Sequence, residues 1–210
     1  MMYRIIRLLW FISFYVHLIW AFLFTKPKRL FDYLYLIYCG VETKYGYVKL
    51  DGLPIIRKAE GSKIILGKGC TLVSNSKYNV AGVNHPVILA TLAPGAIIKI
   101  GAVGVSGAAI CAAKKIIIDD YSGVGANSNL YDSDFHSIDA VVRRNQKSIN
   151  EALSKEIIIG KDVWIASNVT ILKGVEIGDE AIIAAGAVVT RSVPAKTVFA
   201  GNPARKIKDL

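Results

Sequence analysis

A mainly β solenoid, in which short flat strands fold into triangular coils behind a hydrophobic helical segment, is the fold class this sequence predicts. Two observations carry the solenoid. Ile159, Ile165, Ile171, Ile177, Ile183 and Val189 recur at every sixth position, and Val163, Val169, Val175, Ala181, Ala187 and Val193 keep the same interval four residues behind them. A bulky aliphatic residue at each sixth position, with a small one four later, suits strands joined at corners that present the same two positions inward. A third observation, an apolar run near the N-terminus, carries the helical segment.

The same interval continues upstream more loosely. Ile100, Ser106, Ala112, Ile118, Val124 and Leu130 are read as one column, with Ile110, Ile116, Ser122 and Ser128 in the small-residue column. Leu66 and Leu72 begin another stretch, and residues 73–97, with Asn75, Asn79, Gly82, Pro86 and Pro94, read as irregular coils or a loop. Three strands of about six residues make a coil of about 18, stacked at roughly 4.8 Å with backbone hydrogen bonds between coils. The expected division is a membrane-associating helical region over 1–60 and a solenoid domain over 61–210 that ends in a C-terminal tail.

A chain of 210 residues can bury a core without disulfide staples. Cys39, Cys70 and Cys111 are odd in number and lack metal-ligand spacing, so they read as reduced thiols, and no metal is expected. The net charge of +10 is not spread like a nucleic-acid surface. It gathers around the apolar run, at Arg143, Arg144 and Lys147, and at Arg205, Lys206 and Lys208, with no stacking aromatics interleaved at the later sites. Nucleic acid is therefore excluded as a partner, and phosphates of a small ligand or of lipids are preferred.

Leu8 to Phe24 is apolar except for Ser13 and His17, with Arg4 and Arg7 before it and Lys26, Lys28 and Arg29 after it. Such a segment seeks a membrane, either as a short spanning helix or as one lying in the interface. The aromatic crowding and the lack of a small-residue cleavage site argue against a cleaved signal peptide. A helix packed on the solenoid or on a sister subunit is the alternative. The expected location is the cytoplasmic face of a bacterial inner membrane.

The repeat breaks after Leu130. The next inward position, 136, holds a histidine, preceded by Asp134 in the small-residue column. When the interval resumes at Ile159 its register has changed, so residues 137–156 read as a loop or short helix thrust out of the prism with His136 at its root. Local failure of a strong repeat marks a functional position.

Three segments resemble the hexapeptide-repeat acyltransferases, particularly bacterial polysaccharide and lipopolysaccharide O-acetyltransferases: Asp132-Ser133-Asp134-Phe135-His136 with Ser137-Ile138-Asp139 and Arg143; Ile159-Gly160-Lys161-Asp162-Val163-Trp164-Ile165; and Ala200-Gly201-Asn202-Pro203-Ala204-Arg205. The resemblance spans roughly residues 61–210. It implies a left-handed parallel β-helix, His136 as catalytic base, acetyl-CoA as acyl donor, and an active site between subunits of a homotrimer. It also implies that Ser167, Ala185 and Thr190 line the pantetheine channel while Arg205 and Lys208 face the cofactor phosphates. Ala166 and Ala184 stand where such proteins usually carry glycine.

An imidazole with a pKa near 6.5 can take the proton of an acceptor hydroxyl at neutral pH. A carboxylate can fix its tautomer, and Asp134, Asp132 and Asp139 are the local candidates. Asp134 ranks first because residues two apart on an extended strand share a face. Asp132, Asp139, Arg143 and His85 are assigned to the acceptor side. The function expected is O-acetylation of a sugar hydroxyl on a cell-surface glycan or its lipid-linked precursor; N-acetylation of a nucleotide-linked amino sugar and a non-catalytic trimeric scaffold at the membrane are the alternatives.

Overall fold

The computed structural model describes residues 27–145 and 151–210. The apolar run Leu8 to Phe24, and the expectation that it meets a membrane, lie outside them. Among the described residues no helix is long and apolar enough to cross a membrane.

The strands form three parallel sheets, the three sides of a prism. Side I stacks β1 (Val48–Asp51), β4 (Cys70–Val73), β7 (Gly104–Ser106), β10 (Gly123–Val124), β13 (Trp164–Ile165), β16 (Ile182–Ile183), β18 (Thr197–Ala200) and, antiparallel at its end, β19 (Arg205–Asp209). Side II contains β2 (Ile55–Arg57), β5 (Ile88–Thr91), β8 (Ala109–Ala112), β11 (Asn129–Tyr131), β14 (Thr170–Leu172) and β17 (Val188–Val189). Side III contains β3 (Lys63–Leu66), β6 (Ile97–Ile100), β9 (Lys115–Ile118), β12 (Ile157–Ile159) and β15 (Glu176–Ile177). A helix, α1, covers residues 27–38.

Each side buries an aliphatic column next to its downstream corner, and side III buries a second, Ile64, Ile98, Ile116 and Ile157. Leu72, Val105, Val124, Ile165 and Ile183 are in register on side I. Leu89, Ile110, Leu130, Ile171 and Val189 align on side II, and Leu66, Ile100, Ile118, Ile159 and Ile177 on side III. All of these are buried. The upstream column therefore differs from the six-residue reading: Val105 and Ile110, not Ser106 and Ala112, stand between Ile100 and Ile118. Two sides of that coil are each one residue short and the third is long, so the coil still closes on Ile118. Coil closure, not side length, is what interstrand hydrogen bonding requires.

The start of the prism is also corrected. β1 pairs with β4 and β2 with β5, so the coil stack begins by Val48, before the expected boundary at residue 61. No six-residue interval marks these strands because the next coil carries a long excursion. That excursion occupies residues 74–87, including a 3-10 turn at Ser76–Tyr78, and regular strands resume at Ile88, inside the stretch read as irregular. A second excursion, residues 132–156, leaves after β11 and contains a short helix, α2 (Ala140–Asn145).

Corners turn on residues in the left-handed region. Tyr121, Asp162, Glu180 and Lys196 (φ 56 to 66°) stack between sides III and I, and Asn127 and Asn168 (φ 61 and 58°) stack between sides I and II. Buried Ser122 and Ser128 bridge coils: each hydroxyl donates to a carbonyl of the next coil, Gly160 or Ala166, and accepts from Val163 or Val169 N–H. Asp120 and Asp179 accept from Ala102 and Lys161 N–H one coil earlier. Their carboxylates fill the space that a Cβ on Gly101 or Gly160 would need, so glycine is required there.

α1 caps the open end, burying Leu36 against the core while Tyr35 Oη donates to Pro54 O (2.6 Å). Terminal coils of a solenoid need such a cover. All three cysteines are free, and burial pushes the Cys70 thiol to about 12 and that of Cys111, also facing the Asp132 charge, to about 11.

Two outcomes follow from the packing. Ile118→Ala should lose about 2–5 kcal/mol in denaturant unfolding, since its site is closed on both sides by Ile100 and Ile159. Because the unfolded thiols ionise near 9 and the folded ones only at about 11 and 12, the folded state holds their protons longer. Unfolding free energy should therefore decline as pH rises from about 9 toward 12, and a Cys70→Ala variant should show a shallower decline.

Candidate active site

The excursion after β11 is pinned at its root. Asp132 is fully buried; its Oδ1 accepts from Ala113 N–H (2.6 Å) and its Oδ2 from Lys114 and Lys115 N–H (2.7 Å each). Burial pushes its carboxyl above the usual carboxylate range, against the pull of those donors and of the Lys114 charge. Residues 132–134 then pair with 153–155: Asp134 N–H donates to Leu153 O, Lys155 N–H to Asp132 O, and Ser133 bridges Ser154. Glu156 closes the base against Lys115 (3.1 Å), whose hydrogen bond holds that carboxyl below its usual value.

His136 emerges from this root with its side chain exposed. Its orientation depends on Phe135, which takes φ 59° while His136 N–H closes on Asp134 O at 2.6 Å. Phe135 packs edge-on against Tyr131, ring centroids 5.2 Å apart. That turn overturns the reasoning that put Asp134 beside the imidazole: the chain is not extended here, so positions two apart do not share a face. The Asp134 carboxylate instead takes Lys173 Nζ at 2.5 Å.

Three other expected acceptor-side residues are engaged in building the loop. Asp139 Oδ1 caps α2, accepting from Val141 and Val142 N–H (2.7 and 2.9 Å), and Arg143 donates to Ser137 and Ile138 carbonyls. Asp132 serves the preceding coil. His85 sits half-buried on the other excursion, which Asn127 holds by accepting from Asn84 N–H (2.8 Å). Its Nδ1 lies 2.8 Å from Pro86 O; a carbonyl only accepts, so Nδ1 carries the proton and Nε2 is the acceptor of the neutral ring.

The donor-side residues fall into separate groups. Ser167 and Ala185 stack one coil apart at the corner between sides I and II, and Arg205, opposite Ala200 in β18, lies at the same end of side I. Lys208, opposite Val198, is toward the other end of that strand. Thr190, just after β17, is on the corner between sides II and III, below the excursion that carries His136. His136 and the Ser167–Ala185–Arg205 group thus flank side II, one side of the prism apart, which is roughly 20 Å for six residues. The corner at Ser167 is built of small residues, Gly125, Ala126, Ala166, Ala184 and Gly186 around it, so a thin chain can lie close to its backbone.

Lys173 was not foreseen as part of the site. Its signal lay in register: Leu172 pairs with Tyr131, so the residue after each falls at the same corner. Among the described residues no group of His, Cys, Asp or Glu is arranged to hold a metal ion.

Residues 156–191 match the bacterial transferase hexapeptide (six repeats) family. The chain is 28% identical over 148 residues to a probable macrolide acetyltransferase of Lysinibacillus sphaericus, covering 70% of this chain and 61% of the relative. It is 41% identical over 75 residues to the galactoside O-acetyltransferase of Escherichia coli K12, 36% of this chain and 35% of that protein, so it spans less than two thirds of either relative. Two solved structures share the fold: the polySia-specific acetyltransferase NeuO, at TM-score 0.53 and 24% identity over 78% of this chain and 61% of that one, and an N-acyltransferase from Bacillus cereus in complex with dTDP and 3-hydroxybutyryl-CoA, at 0.53 and 16% over 78% and 84%.

The buried role of Asp132 is open to test: Asp132→Asn, which keeps the shape but loses a charged acceptor for three N–H groups, should cost about 1–3 kcal/mol and speed amide exchange at residues 113–115. The three-sided prism is a left-handed parallel β-helix, and over residues 156–191 it is similar to the bacterial transferase hexapeptide (six repeats) family.

Proposed function

We propose that this protein is an acetyl-CoA-dependent O-acetyltransferase that modifies a sugar hydroxyl of a cell-surface glycan or its lipid-linked precursor. The observation that carries the reading is an exposed imidazole at the root of an excursion where an inward aliphatic is expected. His136 takes the proton of the acceptor hydroxyl as its oxygen attacks the thioester carbonyl. The C–S bond then breaks, and the imidazolium returns the proton to the leaving thiolate.

The working unit is a homotrimer. One chain holds His136 and the small-residue corner at Ser167 and Ala185 on opposite edges of side II, so a complete site needs the second corner from a neighbour. The excursion supports such a neighbour: Ile138, Val141, Val142 and Leu153 are exposed on it, as is Trp164 on side I. A carboxylate to orient His136 is assigned to this interface, since the nearby ones have other partners. Leu8 to Phe24 and its basic flanks support attachment to the cytoplasmic face of the inner membrane, where lipid-linked sugars are held.

His136→Ala should lower acetyl transfer about 10²- to 10⁴-fold with unchanged fold and oligomer mass; equal rates in the two proteins favour a scaffold. Ester-linked, base-labile acetate on the product supports the O-acetyl reading, and amide-linked acetate overturns it. Mixing His136→Ala subunits with Ala185→Trp subunits tests the shared site: each alone should be inactive, and refolded mixtures should regain activity because some interfaces then carry both intact corners.

A further inference from the structure

The N-terminal end of the prism holds a cavity of ≈ 630 Å³ on side I, away from the excursion of His136. Six charged residues converge on it: Lys28, Arg29 and Asp32 from α1, Lys49 and Asp51 from β1, and Lys68 from the turn before β4. Asp32 and Asp51 are buried, and each fixes one lysine. Lys28 Nζ meets Asp32 Oδ2 at 2.7 Å and also donates to Leu50 O, and Lys49 Nζ meets Asp51 Oδ2 at 2.7 Å. Arg29 and Lys68 make no ion pair among the described residues. The cavity therefore carries two cations in excess, two of its four held in place and two available, on a wall that includes Tyr47 and Tyr78. Its volume suits one small organic group, and its surplus charge suits a phosphate.

α1 supplies the second observation. Asp32 and Leu36 bury one side of the helix, yet Leu30, Phe31, Leu34, Ile37 and Tyr38 are exposed around the opposite side. A helix apolar on both sides has a second apolar environment besides its own core. In sequence it continues directly from the run ending at Phe24, and the cationic cavity opens beside its first turn.

We propose that this cavity seats the phosphate headgroup of an anionic membrane lipid, with the outer side of α1 lying in the acyl boundary. The proposal rests on the membrane-attachment reading and adds to it a specific site, with the N-terminal end of the prism facing the lipid. Arg29 grips the phosphate oxygens with its planar fork, and Lys68 supplies a point charge across from it.

The test uses full-length protein and vesicle co-sedimentation. Phosphatidylcholine vesicles are compared with mixed phosphatidylcholine and phosphatidylglycerol vesicles, for wild type, for Arg29→Gln with Lys68→Gln, and for an equal charge loss elsewhere, Lys99→Gln with Lys161→Gln. The cavity variant should lose on the order of tenfold or more in affinity for the anionic vesicles, while the control pair binds as wild type. Equal loss in both pairs means diffuse attraction and overturns the site. Equal binding of wild type to both vesicle types overturns it too, but leaves membrane attachment standing. Inorganic phosphate or glycerol phosphate that raises the melting temperature of wild type and not of the cavity variant, while both proteins bind the anionic vesicles equally, gives the cavity to a soluble phosphate and overturns the lipid. A fall in oligomer mass on Phe31→Ser with Leu34→Ser gives the outer side of α1 to a second copy and likewise overturns it.

Discussion

Closure of each coil onto the one beneath is the constraint from which the rest of this structure descends. Parallel strands only two to four residues long are held chiefly by what lies above and below them, so each backbone group must meet its partner in the neighbouring coil. The aliphatic columns enforce this from inside. Between Ile100 and Ile118 the sides change length, yet the coil comes back into register because Val105 and Ile110 still project inward. Any surplus of chain must therefore leave at a corner and return to the same corner, as residues 74–87 and 132–156 do.

Polar side chains at corners complete that closure. Ser122 and Ser128 are buried hydroxyls in columns meant for small apolar residues, and they persist because each both donates to and accepts from the next coil. Asp132 carries the same principle further, with three N–H groups focused on one buried carboxylate. A group so committed is structural. It fixes where the excursion begins, and with it where His136 emerges.

The division of polar residues between corners bears on function. The excursion that carries His136 leaves the corner between sides II and III, and the small-residue corner of Ser167 and Ala185 lies between sides I and II. The two are held apart by a rigid sheet rather than by a hinge, so no bending of one chain unites them. Ile138, Val141 and Trp164 are left exposed on the outside of this frame.

By itself the sequence determined the prism over residues 156–193, because one residue type at one interval specifies an inward column, and it marked the interruption of that interval at His136. It also marked the loop 137–156 through the changed register at Ile159. Only the tertiary structure decided that the prism starts by Val48, since an excursion of 14 residues hides the interval there. The partners of the acidic residues were likewise beyond reach: Asp134 turns to Lys173 because Phe135 adopts a left-handed backbone, and Asp132 folds under the preceding coil. Periodicity encodes which side of a strand faces inward, but the direction of a side chain in a turn is set by neighbours one coil away, which a linear pattern does not contain.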